Sequence, residues 1–312
     1  MGIRGLMSLI KRESPRSQYN ITIYDLKNTR LAIDSSILLY KFSYCSKKFA
    51  DAVVTGFMNK TIGYLNDGIL PVYVFDGKPP KEKEKTIEKR REERRKMYTK
   101  AEALEKELED NIGNMDAEQI ASYKKQISFV RNQIVHVTQL QKEEVVKILG
   151  YMGIPIIDSL GEAEHTCSVL QRSGLCDYTV TDDSDALVFG STKVIKLTKT
   201  TKNNVISVFS LKNILSDLNL THDEFVDMCI LCGCDFCDSI PKVGPVTAYQ
   251  IIKKHHTIES FLKFNRTSRK FTIPENYGYI AARAIFKQGH PSISSSELSI
   301  KHFDDKGLKL FL

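Results

Sequence analysis

The chain reads as an α/β protein with a mostly parallel central sheet flanked by helices. Short β-rich runs alternate with longer segments of helical apolar spacing, the pattern of strand–helix–strand units. The runs 30–33, 71–75 and 178–181 each stop at an aspartate, Asp34, Asp76 and Asp182. Neither an internal repeat nor a low-complexity linker interrupts the 312 residues, and 42% hydrophobic content supplies ample core.

Residues 1–12 place Ile3, Leu6, Leu9 and Ile10 at helical spacing, followed by a polar loop through Pro15 and Asn20. After Asp34, the residues Ile37, Leu38, Tyr40 and Phe42 suit an amphipathic helix. A second helix over 55–65 is closed by Asn66-Asp67-Gly68 before the strand that ends in Asp76. Beyond Pro79-Pro80 the composition changes: residues 81–100 carry ten Lys and Arg against five Glu, with hardly an apolar stripe. A charged helical segment of this kind, running to about Gln126, has no core of its own and is expected to project from the sheet. A solvated helix explains such a run, and a cationic clamp on phosphates explains it equally.

The helical pattern returns over 136–149. An apolar run at 154–157 leads through Asp158-Ser159 into Gly161-Glu162-Ala163-Glu164, read as the first turn of a helix carrying Cys167, Val169 and Leu170. The run 178–181 breaks at Asp182, Asp183 and Asp185. Strands at 194–197 and 205–209 are expected to form a hairpin about Asn203-Asn204, with helices from Leu211 onward. Residues 239–252, SIPKVGPVTAYQII, read as helix, tight hairpin and second helix, whose outward-pointing amides can hold a phosphate.

In an open parallel sheet, acids at the carboxyl ends of strands point into the ligand crevice. An Asx-rich turn explains any one of them. If the segments converge, Asp34, Asp76, Glu162, Glu164, Asp183, Asp185 and Asp235 share one cleft. So many carboxylates raise one another's pKa unless a cation sits among them, and an all-oxygen donor set suits Mg²⁺ or Mn²⁺. Two such ions about 4 Å apart stabilise both oxygens of an in-line phosphoryl displacement, so metal-dependent phosphodiester hydrolysis is the chemistry expected.

Lys plus Arg number 45 against 38 acids, for a net charge of +7, although seven acids belong to the proposed cleft. The remaining surface is therefore more basic than the total and favours a polyanionic partner. Seven cysteines without a signal peptide argue for a reducing intracellular compartment, and nothing approaches the apolar length of a transmembrane helix. Cys229-x2-Cys232 and Cys234-x2-Cys237 are not read as zinc knuckles, because one residue separates the pairs where a dozen or so are usual.

The phrases MGIRGL, LAIDSS, PVYVFDGKPP, GEAEHTC, TDDSDALVFG and CILCGCDF running into SIPKVGP together resemble the flap endonuclease family of structure-specific 5′ nucleases, over nearly the whole chain. The resemblance implies that the seven acids hold two Mg²⁺ ions, with Mn²⁺ able to substitute. It implies that Lys83 and Arg90, at the base of a helical arch, contact the scissile phosphate and that Tyr40 stacks on the adjoining nucleotide. Gly2 would lie close to DNA. The hairpin with Ser239, Lys242 and Gly244 would hold duplex, with K⁺ at Ser239, Ile240 and Val243. The division implied is one nuclease core: an N-terminal region 1–80, the arch 81–135, an internal region 136–215, and over 216–312 a helical duplex-binding module of helix–hairpin–helix type with a C-terminal segment.

Three features depart from the family pattern: Lys242 stands where glycine is usual, the segment 44–55 is short at the family's 3′-flap pocket, and no sliding-clamp motif follows residue 307. Clamp binding therefore does not follow. The expected function is a Mg²⁺-dependent 5′ flap endonuclease with 5′-to-3′ exonuclease activity in DNA replication or repair, a monomer acting in the nucleus. A duplex exonuclease or a bubble or four-way-junction nuclease of the same superfamily is the alternative, and a non-catalytic DNA-junction binder is the alternative of another class.

Overall fold

The computed structural model of the chain describes residues 2–46, 51–134, 137–200, 205–289 and 293–311. Among these, seven strands form one sheet: β1 (Gln18–Thr22), β2 (Arg30–Asp34), β3 (Leu70–Phe75), β4 (Ile156–Asp158), β5 (Tyr178–Val180), β6 (Lys193–Thr200) and β7 (Val205–Ser210). Their spatial order is β1-β7-β6-β5-β2-β3-β4. The pairs β2–β3, β2–β5, β3–β4 and β5–β6 are parallel, and β6–β7 and β1–β7 are antiparallel. The expected α/β class with a mostly parallel sheet is therefore present.

The helices are α1 (Leu6–Glu13), α2 (Ser35–Ser46), α3 (Ala52–Asn66), α4 (Glu84–Asn111), α5 (Ala117–Gln133), α6 (Gln139–Tyr151), α7 (Ala163–Arg172), α8 (Asp185–Val188), α9 (Leu211–Leu218), α10 (His222–Cys232), α11 (Pro245–His255), α12 (Ile258–Ser268), α13 (Tyr279–Phe286) and α14 (Asp305–Phe311). Side-chain alternation in the central strands divides the core. Leu31, Ile33, Tyr73 and Phe75 pack with Phe57 of α3 and Val145, Ile148 and Leu149 of α6. On the other face Ala32, Val72 and Val74 meet Ala163, Cys167 and Leu170 of α7. Burial on both faces is why these strands read as near-continuous apolar runs. A third core joins α1 and α8 to α9–α13 through Leu6, Phe189, Phe225, Ile252 and Phe261.

From β2 the chain steps to β3 and β4, then crosses back to place β5 on the other side of β2. The crevice of an open α/β sheet opens at this reversal, beyond the carboxyl ends of β2 and β5. Asp34 is the last residue of β2, and Ile33 is level with Val180 of β5, three residues before Asp183.

Four local expectations need correction. Residues 18–22 form an edge strand instead of a loop, since Gln18–Thr22 pairs along the whole of β7. Residues 239–241 are not helical: α10 stops at Gly233, whose φ of 102° suits glycine, and α11 starts at Pro245. Asp235, grouped in the expected cleft with acids at strand ends, follows a helix instead, because the apolar run 228–231 before it lies inside α10. The charged segment does have a core of its own, in which Met97, Ala101 and Leu104 of α4 meet Val130 and Ile134 at α5. Paired bonds from Arg131 to Glu105 at 2.9 and 2.6 Å and a Tyr123–Glu107 bond at 2.9 Å reinforce it. The proposed turn at Asn203-Asn204 and the helix start at His136 lie outside the described residues.

Candidate active site

The parallel register brings the strand ends level. Asp34 is opposite Val74, and Phe75 is opposite Asp158, so Asp34, Asp76 and the loop from Asp158 to Glu162 emerge side by side. Asp34 is fully buried; its Oδ1 accepts from the amides of Ser36 (3.1 Å) and Ile37 (3.4 Å) at the start of α2. Its Oδ2 accepts from Thr181 Oγ1 at 2.7 Å. Thr181 in turn accepts from the Asp183 amide at 3.0 Å, which ties the ends of β2 and β5 together. Asp76 Oδ1 accepts from the Ala163 amide at 2.8 Å at the N-terminus of α7, while Lys142 of α6 donates to the Asp76 carbonyl at 3.1 Å.

Glu162 caps α7 with extended backbone and Glu164 lies in its first turn, where the helix dipole favours acids. One carboxylate oxygen from each of Asp76, Glu162 and Glu164 lies within 4.8 Å of the others. The remaining acids join them electrostatically. Asp34 is acted on by Asp76 and Asp183, Glu164 by Asp34 and Asp183, and Asp185 by Asp183 and Asp235. Asp76, Glu162 and Glu164 come within reach of one ion, Thr181 and the Asp183–Asp185 bond link Asp34, Asp183 and Asp185, and Lys83 bridges Glu162 and Asp235.

Burial raises the Asp34 carboxyl to about 7, helped by Asp76. Burial also pushes Glu164, Asp185, Asp183 and Glu162 up, with neighbouring carboxylates adding to it. At Glu162 the Lys83 ammonium opposes the rise. Glu164 Oε2 and Asp185 Oδ1 are buried without a hydrogen-bond partner. Buried, unpartnered carboxylate oxygens in an all-oxygen cluster are the donors that a hard divalent cation takes, so the residues fit such an ion.

The arch base supplies the cations. Lys83 is bonded to Glu162, lies 4.0 Å from Asp235 and sits 5.9 Å from the centre of the Phe236 ring. Burial disfavours its charge, but Glu162, Glu164 and Asp235 outweigh that and hold its pKa above the usual lysine value. Arg90 pairs with Asp235 at 2.7 Å, Thr86 Oγ1 donates to the Asp235 carbonyl at 3.0 Å, and Lys85 pairs with Asp238 at 2.9 Å. Gly2 lies against the same cluster with φ of 82°; a Cβ there would fall 2.6 Å from Asp185 Oδ1 and Ser184 Oγ. Tyr40 of α2 is 47% exposed.

Ser239, Ile240, Lys242, Val243 and Gly244 lie in the loop between α10 and α11. Ile240 and Val243 are buried in the helical core. Lys242 has φ of 65°, the left-handed region in which a side chain costs about 1 kcal/mol. A Cβ at Gly5 would approach Pro245 Cγ to 2.7 Å, so α1 is seated directly on the start of α11. Thr181 and Lys142 escaped the sequence reading. Thr181 is adjacent to the acidic run and could have been found there; Lys142 lies 66 residues from Asp76 and carries no local signal.

The XPG N-terminal domain model matches residues 1–97 and the XPG I-region model matches residues 153–235, which between them contain all seven acids. Flap endonuclease 1 of Entamoeba dispar is 36% identical over 100% of this chain and 82% of its own length. Among solved structures, the catalytic core of Rad2 in complex with DNA substrate superposes with a TM-score of 0.75 at 21% identity, over 99% of this chain and 94% of that one. Flap endonuclease-1 from Methanococcus jannaschii superposes with a TM-score of 0.65 at 27% identity, over 94% and 89%. With a cluster of acids at the sheet's reversal and relatives of this identity along its full length, the chain belongs to the flap endonuclease family of XPG-type nucleases.

Proposed function

We propose that the chain is a structure-specific 5′ nuclease that cuts 5′ flaps of branched DNA near the single-strand junction and also removes nucleotides in the 5′-to-3′ direction. The convergence of Asp34, Asp76, Glu162, Glu164, Asp183, Asp185 and Asp235 beneath a basic helical arch carries the reading. The seven acids hold two Mg²⁺ ions, with Mn²⁺ able to replace them. When bound, such ions polarise the phosphodiester and lower the pKa of water, the chemistry of in-line hydrolysis.

The chain's own residues do the positioning. Thr181 and the amides of Ser36, Ile37 and Ala163 fix the Asp34 and Asp76 carboxylates before substrate arrives, so little reorganisation is left to the reaction. Lys83 and Arg90 project from the arch base into the cleft and contact the scissile phosphate, where they offset the charge that develops on its oxygens. Tyr40 stacks on the adjoining nucleotide, and Gly2 keeps the N-terminal backbone close to the acids and the DNA. The loop from Ser239 to Gly244 and the N-terminus of α11 hold duplex phosphates through backbone amides, with K⁺ at Ser239, Ile240 and Val243. Residues 1–312 act as one nuclease core with the arch over 81–135. The exposed basic run KRREERRK (89–96) of α4 supports a nuclear site of action.

A cleavage panel in Mg²⁺ tests the reading. A flap with a free 5′ end should be cut fastest, a flap blocked beforehand by a bulky protein should resist, and closed bubbles and four-way junctions should be poor substrates. Equal rates on bubbles or four-way junctions would move the chain to the junction-cleaving branch, and no cleavage of any substrate would leave a DNA-junction binder.

A further inference from the structure

The CGCDFC stretch at 232–237 contains more thiol chemistry than the nuclease reading uses. Cys229 and Cys232 are buried within α10. Cys234 and Cys237 are only half-buried, and their sulfurs lie 3.7 Å apart, in mutual contact. Two intervening residues let such a pair close a small ring without moving distant chain, the spacing used for thiol–disulfide exchange. One of those two residues is Asp235, which belongs to the acidic cluster and is held by Arg90. The other, Phe236, is buried against Phe286 at 5.2 Å, so the loop is pinned at its centre.

Access is present as well. Cys237 lines a cleft of about 290 Å³ under the arch base, whose charged lining is Lys81 and Lys85 together with Glu82, Glu84, Asp235 and Asp238. A lining of mixed charge admits a small disulfide that carries both ammonium and carboxylate groups, of which oxidised glutathione is the type.

We propose that Cys234 and Cys237 are a redox modification site: a small-molecule disulfide converts them into a reversible intramolecular disulfide that lowers cleavage turnover by displacing Asp235. The effect on turnover rests on the reading of the acidic cleft given above; formation of the disulfide does not. Cys237 sulfur attacks one sulfur of oxidised glutathione, breaking its S–S bond, forming a mixed disulfide and releasing one glutathione thiol. Cys234 sulfur then attacks the Cys237 sulfur, the mixed disulfide breaks and the second glutathione leaves. The two cysteine protons end on the two glutathione thiols, and two electrons pass from the cysteines to glutathione. The contact with Cys237 and burial raise the Cys234 thiol, which slows the exchange at neutral pH. Closing the pair draws the sulfurs from 3.7 Å to about 2.05 Å. With Phe236 fixed, that movement falls on the backbone either side of Asp235.

The test incubates the full chain with oxidised glutathione, alkylates the remaining thiols and maps the peptides. The expected result is a peptide holding Cys234 and Cys237 that is two hydrogens lighter, unalkylated and free of glutathione. Mg²⁺-dependent cleavage of a 5′ flap should fall about tenfold and return with dithiothreitol, while Cys234→Ser and Cys237→Ser should keep their reduced-state rate in oxidant. Alkylation of both cysteines, or glutathione remaining on Cys237 alone, would overturn the disulfide. An oxidised protein that cuts at the reduced rate would overturn its effect. A reduced protein that cuts no flap would count against the nuclease reading instead, with the peptide map still deciding the disulfide.

Discussion

Lys83 carries more of the proposed chemistry than any other cation of the arch. Its ammonium is half-buried, bonded to Glu162 and close to Asp235, so it is held in the cleft and not in bulk water. A cation in that position gains most when negative charge builds on a reacting phosphate. Lys83→Ala, and to a lesser degree Arg90→Ala, should therefore slow single-turnover cleavage by about a hundredfold or more while DNA affinity changes by less than about fivefold. Wild-type single-turnover rates in both variants would return α4 to the reading of a solvated helix. At this scale the sequence was legible where chemistry and local position coincide. Asp34, Asp76 and Asp183 follow strand-like runs, and parallel register brings strand ends together. Lys142 was not legible, because only the packing of α6 beside the end of β3 brings it to the Asp76 carbonyl.

Among the elements, the arch departs furthest from its expected form. Charge dominates its composition, yet Met97, Ala101, Leu104 and Leu108 recur at spacings of three and four, a seam one residue wide that faces α5. So narrow a stripe is easily overlooked in so highly charged a helix. The edge strand β1 was missed for a related reason, since Gln18, Asn20 and Thr22 are polar and its pairing with β7 supplies what propensity does not. With its own core, the arch should open first at the exposed connection between α4 and α5, not along the helices. Brief digestion with a non-specific protease is expected to nick the free protein within 111–116, and bound 5′-flap DNA to protect that site. Nicks first appearing within α4, or an unchanged rate with DNA, would contradict this. Helix, sheet and connection order were readable from periodicity; the hairpin of residues 239–244 was misplaced because Gly233, Pro241 and Gly244 interrupt helix on both sides of it.

For the whole molecule, the acidic cluster links stability to pH and to divalent cation. Asp34 titrates at about 7 in the folded chain against 3.8 when unfolded, and Glu164 and Asp185 are raised as well. The folded state therefore binds more protons than the unfolded one between those values. By linkage the cluster's contribution is most favourable below the unfolded pKa and declines as pH rises through about 7. Other groups add their own slopes, so the informative quantity is the difference that metal makes. In chelator the thermal midpoint should fall between about pH 5 and pH 8, whereas Mg²⁺ should raise it by at least about 2 °C at pH 8 and by much less at pH 5, where protons occupy the same oxygens. A Mg²⁺ effect that is absent at pH 8, or larger at pH 5, would argue that the acids do not share a cation.

Cleavage by the Asp183→Asn variant tests the central claim, that these acids form one metal-dependent catalytic cluster, most directly. Asp183 Oδ1 accepts from the Asp185 amide at 2.9 Å, and an asparagine oxygen can accept the same bond, so the local fold should survive. The substitution removes a negative charge from the cluster and leaves the basic arch and the α11 loop untouched. In saturating Mg²⁺ the variant should bind 5′-flap DNA with near wild-type affinity and show no measurable cleavage. Retention of as much as about a tenth of wild-type turnover would contradict the assignment of Asp183 to a catalytic metal.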